Sequence, residues 1–171
     1  MTHITISNIT IGPAQPLAII AGPCVIESAA QCLEIGRAVG GRCAELGLPF
    51  IFKASFDKAN RSSVHSPRGP GLDDGLAILG QVRDALGVPV TTDVHEPGQC
   101  EAVGRVVDLV QVPAFLCRQT DLLAAAAATG RPVNVKKGQF MSPAEMRNVV
   151  DKLREAAGPN TPRVMLTERG T

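Results

Sequence analysis

The feature that most constrains this chain is a rhythm. Short apolar runs that do not alternate are followed, again and again, by segments with helical spacing. The runs are Leu17–Ala21, Phe50–Ala54, Pro89–Asp93, Leu109–Val112, Val133–Lys136 and Val164–Thr167. Between them lie Ser28–Leu46, Leu72–Leu86, Gln99–Val103, Thr120–Thr129 and Pro143–Ala157, the last capped by Ser142. A strand that is apolar at every position has both faces buried, as in a parallel sheet covered by helices. The spacing therefore predicts six parallel strands alternating with five helices. Ahead of them, His3–Ile6 and Ile9–Ile11 read as a strand pair turned at Ser7-Asn8. The Ala124–Ala128 tract sits inside a helix, where Ala has the best propensity.

Two α/β architectures fit, an open doubly wound sheet and a (β/α)8 barrel. Polar residues recur at the carboxyl ends of successive strands: Cys24, Lys53, Asp93, Gln111, Lys136 and Arg169. A barrel gathers such residues at one mouth, whereas an open sheet concentrates its site at one switch point. The barrel is the better expectation. It places residues 1–171 in a single, incomplete barrel domain with six of eight strands. Two further βα units are expected beyond Thr171, because six strands leave sheet edges exposed.

Composition removes several function classes. The net charge is +1, so bulk electrostatics does not point to nucleic acid or an anionic membrane. Trp and Tyr are absent, which argues against stacking on single-stranded nucleic acid. The five Cys include no CxxC pair, and no apolar run approaches 18 residues. A cytoplasmic protein with reduced thiols is expected.

The densest chemistry lies in Phe52–Ser63 (FKASFDKANRSS), which offers Lys53, Lys58, Arg61, an amide and several hydroxyls after a strand. Lys binds phosphate or carboxylate as a point charge and Arg as a planar fork. Taken alone, the segment also reads as a solvated basic loop, and Asp57 could simply pair with a neighbouring cation. Asn134–Gln139 (NVKKGQ) is a second cationic element. Alternation sends Lys136 and Lys137 to opposite sides. Lys136 is the better candidate for the mouth, although two solvated lysines remain an alternative. Arg169 would be a third anchor or an ordinary charge. Cys24 could ligate a divalent metal or be a small apolar residue, the reading that Cys32, Cys43, Cys100 and Cys117 receive. Asp93 could orient a sugar hydroxyl; His95 is a weaker candidate, and His65 reads as surface. Gly69-Pro70-Gly71 is no P-loop, since no Gly-Lys-Ser/Thr follows.

Seven motifs, in order, resemble those of 3-deoxy-D-manno-octulosonate 8-phosphate synthases: AGPCVIES from Ala21, FKASFDKANRSS from Phe52, GPGLDDG from Gly69, TTDVHEP from Thr91, QVPAFLCRQTDLL from Gln111, NVKKGQF from Asn134 and LTERGT from Leu166. The likeness covers about Leu17–Thr171. It implies a (β/α)8 barrel closed at its base by a hairpin at residues 1–13, usually a homotetramer, that condenses phosphoenolpyruvate with arabinose 5-phosphate. It carries phosphoenolpyruvate binding onto Lys53, Lys58, Lys136, Gln139 and Arg169, with Gln111, Pro113 and Ala114 lining the pocket. Asn60, Arg61 and Ser62 take the sugar-phosphate positions. Arg118 takes one supplied across a subunit interface. Cys24 in Gly-Pro-Cys implies the metal-dependent branch, whose remaining His, Glu and Asp ligands are expected on later strands. Heptulosonate 7-phosphate synthases share Gly-Pro-Cys but carry a Lys-Pro-Arg-Thr-type signature where this chain has Lys58–Ser62. That sister activity, and a catalytically dead fragment with a structural role, are the alternatives.

Overall fold

The four middle apolar runs become strands buried along most of their length, while the first and last are only half-buried. The computed structural model describes residues 3–158 and 163–170. After a hairpin of β1 (Ile4–Ile6) and β2 (Ile9–Ile11) come β3 (Ile19–Ala21), α1 (Ala29–Glu45), β4 (Phe50–Lys53), α2 (Leu72–Leu86), β5 (Val90–Asp93), α3 (Cys100–Val106), β6 (Leu109–Val112), α4 (Thr120–Ala128), β7 (Val133–Lys136), α5 (Met146–Ala157) and β8 (Val164–Thr167). Every residue of β5 and β6 is buried, as are the first three of β4 and β7. Strand order is chain order, from β3 to β8. A doubly wound sheet reverses its order at a switch point, and no reversal occurs here. The fold is α/β, with the strand order of a (β/α)8 barrel.

The chain divides into two compact units, Met1–Thr92 and Asp93–Thr171, with the boundary inside β5. In the first, β3 pairs parallel with β4, Ala21 opposite Phe52, and β4 with β5, Lys53 opposite Thr91. Ser28 caps α1, its hydroxyl accepting the Gln31 N–H at 3.2 Å. Asp73 and Asp74 stand in the first turn of α2, where the helix dipole favours negative charge. Helices α1 and α2 pack together through Gly36, where an added Cβ would lie 2.4 Å from Leu86 Cδ1. A cleft of about 740 Å³ lies among hairpin residues such as Ile9, the α1 face at Arg37 and Gly40, and Pro49 and Pro89 at the starts of β4 and β5.

In the second unit β6 pairs with β7 and β7 with β8, Lys136 opposite Thr167. Helix α4 buries Leu122, Leu123, Ala126 and Ala127, and packs against α5. The α5 face is Met146, Val149 and Leu153, the stripe that helical spacing predicts.

Two helix bounds differ from the sequence reading. Helix α5 starts at Met146 rather than Pro143, because Met146, Arg147 and Asn148 donate to carbonyls three residues back. Ser142 still caps this tighter turn: its hydroxyl accepts the Glu145 N–H, and the Glu145 carboxylate accepts the Ser142 N–H at 2.7 Å. The helix expected at Gln99–Val103 runs over Cys100–Val106 and is entered through a 3-10 turn, Pro97–Gln99, set by a capping box between Glu96 and Gln99. Among the described residues, no helix is long and apolar enough to cross a membrane.

Candidate active site

In the first unit the tips of β3 and β4 are locked side by side. Val25 bridges Ser55, and the Ile26 N–H donates to the Ser55 carbonyl at 3.0 Å. Gly22 makes the approach possible: a Cβ there would sit 2.0 Å from the Lys53 carbonyl oxygen. Just beyond it, the Cys24 thiol is exposed.

Ser55 organises the cations. It is fully buried, and its Oγ accepts from Lys53 Nζ at 3.2 Å and from Lys58 Nζ at 3.0 Å. Two ammonium groups are thus held no more than about 6 Å apart. An anion touching both collects two attractions, each roughly 4 kcal/mol at 4 Å in a surface-like dielectric. The loop after β4 folds back on itself. Asp57 takes a two-pronged salt bridge from Arg68, Nε to Oδ1 at 2.8 Å and Nη2 to Oδ2. The Lys58 N–H donates to Arg68 O at 2.7 Å, and Arg61 Nε to Pro67 O at 3.0 Å. Asn60, Arg61, Ser62 and His65 form its exposed rim. Asp57 pairs with a cation, as one sequence reading allowed, but its partner lies eleven residues on, outside the basic cluster.

Replacing Ser55 by Ala releases both ammonium groups from their shared acceptor. Loss of a buried hydrogen-bond acceptor and of this alignment is expected to weaken anion binding about 10-fold, roughly 1.4 kcal/mol. Calorimetric titration with inorganic phosphate measures it; unchanged affinity would show that Ser55 does not position the lysines.

In the second unit Asp93 is buried, with its carboxylate 3.2 Å from His95 Nε2. The His95 N–H donates to Gln99 Oε1 at 2.8 Å, so the turn after β5 is fixed from both ends. Gln111 is buried on β6; Pro113 is half-buried and Ala114 buried at the start of a 3-10 turn, Ala114–Leu116. Arg118 is exposed, and its carbonyl accepts from Lys152 Nζ at 3.0 Å. Arg118 and Lys152 line a small cavity of about 280 Å³ with Met141, Glu145, Asn148 and Val149.

Lys136 and Gln139 are half-buried at the β7 tip, and Arg169 is exposed just after β8. Gln139 Oε1 is buried without a hydrogen-bond partner, an acceptor held ready for a donor. Lys137 is the surprise. It is only 3% exposed, so the reading of two solvated lysines is wrong. Ser55 and Lys137 were the organising residues that sequence reasoning passed over. A buried Ser and a buried Lys look like surface residues until the fold closes round them.

The five thiols separate cleanly. Cys32, Cys43, Cys100 and Cys117 are buried and free. Burial raises the Cys32 pKa, with Glu27 adding to it, and pushes Cys100 up to about 11. These are inert packing residues, as expected. Cys24 alone among them is exposed, able to offer one thiolate ligand. Among the described residues no three His, Cys, Asp or Glu side chains are grouped to hold a metal ion.

The family model of the DAHP synthetase I family matches residues 1–171. The chain is 54% identical over 164 residues to the 2-dehydro-3-deoxyphosphooctonate aldolase of Cyanothece sp., covering 96% of this chain and 59% of the relative. It is 51% identical over 171 residues to the protein of that name from Fusobacterium nucleatum, covering 100% and 60%. With that from Azoarcus sp. it shares 56% identity over 160 residues, 94% and 57%. The chain thus spans about three-fifths of the length of the curated relatives it matches. Its match along the whole of its length, on strands that run in chain order, places it: the chain belongs to the DAHP synthetase I family.

Proposed function

We propose that the protein carrying this chain condenses phosphoenolpyruvate with D-arabinose 5-phosphate and water, giving 3-deoxy-D-manno-octulosonate 8-phosphate and phosphate, in lipopolysaccharide (Kdo) biosynthesis. The observation that carries this reading is the convergence of Lys53 and Lys58 on the buried Ser55 hydroxyl. A paired cation at a strand tip suits a small polyanion. The names of the relatives support the choice of substrates.

In this reading Lys53, Lys58, Lys136 and Arg169 hold the phosphate and carboxylate of phosphoenolpyruvate. Gln139 donates to the same anion through its side-chain amide N–H, while Gln111, Pro113 and Ala114 line the pocket. Asn60, Arg61 and Ser62 hold the sugar phosphate, with Arg118 reaching it from a neighbouring subunit of a homotetramer. The enol carbon of phosphoenolpyruvate attacks the sugar aldehyde and a carbon–carbon bond forms. Water adds to the cationic carbon 2, and carbon–oxygen cleavage releases phosphate. The cations suppress repulsion between two polyanions and hold them in line. Asp93, buried beside His95, orients a sugar hydroxyl. A divalent ion with Cys24 among its ligands would polarise the aldehyde oxygen, its other ligands coming from residues outside this sequence. A cytoplasmic location goes with this reading.

The test is phosphate release by the purified protein with phosphoenolpyruvate and either arabinose 5-phosphate or erythrose 4-phosphate. Preference for the pentose is expected at ~10²-fold or more, within the ~10⁴-fold that sites hydrogen-bonding their substrate can reach. Preference for erythrose 4-phosphate would move the protein to heptulosonate synthesis, and no turnover of either would refute the reading. Chelation is expected to remove activity at least ~10-fold, with restoration by added Mn²⁺ in the wild type but not in Cys24→Ala. Full activity after exhaustive chelation would remove the metal from the proposal.

A further inference from the structure

We propose that Lys137 is a positioning residue for phosphoenolpyruvate: its buried ammonium clamps the turn after β7 to the segment after β8 and so fixes Lys136, Gln139 and Arg169 in register. The substrate half of this inference rests on the function proposed above.

Lys137 Nζ lies 3.4 Å from Gly138 O, 3.1 Å from Met141 O and 3.1 Å from Gly170 O, with Glu168 Oε1 at 3.3 Å. An ammonium has three N–H donors and no acceptor, so four oxygens saturate it. None of its donors is left for substrate, which separates it from Lys136. Its partners come from two places. Gly138 and Met141 belong to the turn that carries Gln139; Glu168 and Gly170 flank Arg169 on either side. The backbone adds to the same junction, since the Lys137 N–H donates to Thr167 O at 2.9 Å, one step past the Lys136–Thr167 pair. At the far end the Glu168 carboxylate accepts the Arg169 N–H at 3.0 Å and the Gly170 N–H at 2.8 Å. Arg169 is therefore held in a loop closed by Glu168 and pinned to β7 by Lys137.

A fold does not need this arrangement for its own sake. Burying an ammonium costs desolvation, and an apolar side chain of similar length would avoid that cost. What a methionine would not supply is a joint between two loops whose own side chains reach outward. Small misplacements of binding groups carry large kinetic penalties, and a shared cation removes that freedom at three groups together.

The experiment is Lys137→Met in the protein that carries this chain, with initial rates measured against each substrate. The KM for phosphoenolpyruvate is expected to rise ~10-fold or more, while that for arabinose 5-phosphate stays within about twofold. A merely structural lysine would lower the active fraction, hence kcat, and leave both KM values alone. Should Lys137→Met fail to fold, Glu168→Ala releases the clamp from its exposed end and must move the same KM in the same direction. A KM for phosphoenolpyruvate within twofold of wild type in the folded variant overturns the inference. If wild-type protein turns over neither sugar phosphate, the reading of function fails and the substrate half of this inference fails with it. The clamp is then judged by amide hydrogen exchange. Segments 138–141 and 168–170 should lose protection together in Lys137→Met, and loss in neither overturns it.

Discussion

Lys53→Met is expected to lower kcat/KM by roughly 10³-fold, at the upper end of what removal of one preorganised charge from an active site costs. The size follows from placement. Lys53 ends β4 with only part of its side chain in water, and its ammonium is aimed by a hydroxyl that is fully buried. A charge aimed in advance pays no reorganisation when negative charge develops on the substrate. Methionine keeps the length and most of the packing, so stability should change by less than about 1.5 kcal/mol. Steady-state rates and thermal denaturation on the same sample separate the two effects. Lys58→Met should lose less, because Lys58 sits on a loop rather than a strand. A drop under 10-fold for Lys53→Met, with the fold intact, would move the phosphoenolpyruvate site away from the β4 tip.

The second large effect concerns stability. Phe52→Ala is expected to cost about 3–5 kcal/mol, the usual range for truncating a buried Phe. Phe52 has no exposed surface and stands between Ala21 and Val90 in the neighbouring strands. Its ring also lies under α1, where a Cβ on Gly36 would come within 3.3 Å of it. Against a typical total of 5–15 kcal/mol, this is a large share of the molecule's stability. It corresponds to a fall in Tm of roughly 10 °C for a chain of this size. Phe115→Ala is the control: Phe115 is 57% exposed, and its loss should change stability by no more than about 0.5 kcal/mol. Equal losses at the two positions would mean that the core does not lie between β4 and α1.

Most of the elements were legible in the sequence because each announces itself locally. The run Phe50–Ala54 cannot sit half in water, and Leu72, Leu76, Leu79 and Leu86 share a face only on a helix. Strand ends followed, and with them the candidate residues at the carboxyl tips. Boundaries were less legible where capping sets them. The tight turn at Pro143–Glu145 depends on how Ser142 and Glu145 bond to one another, a choice that apolar periodicity does not encode. The site was half legible. Charged residues in the motifs stood out, but what aims them did not. Ser55 is one hydroxyl among several in its segment, and only the bridge from Val25 reveals why it is buried. Lys137 was misjudged because alternation along a strand gives the side to which a residue points, not what waits there.

The chain-order sheet has a consequence for synthesis. Each of β3 to β5, and each of β6 to β8, meets the strand next to it in sequence, so every pairing closes one βα unit. A ribosome delivering the chain from its amino end supplies each partner as soon as it is wanted. No strand has to wait, exposed, for a distant one to emerge. Parallel pairing across a whole helix is slow and leaves strands exposed to aggregation, so delivery in pairing order shortens that exposure. Nascent chains arrested once Thr92 has cleared the ribosomal exit tunnel should already resist protease, while those with the tunnel mouth still inside α2 should not.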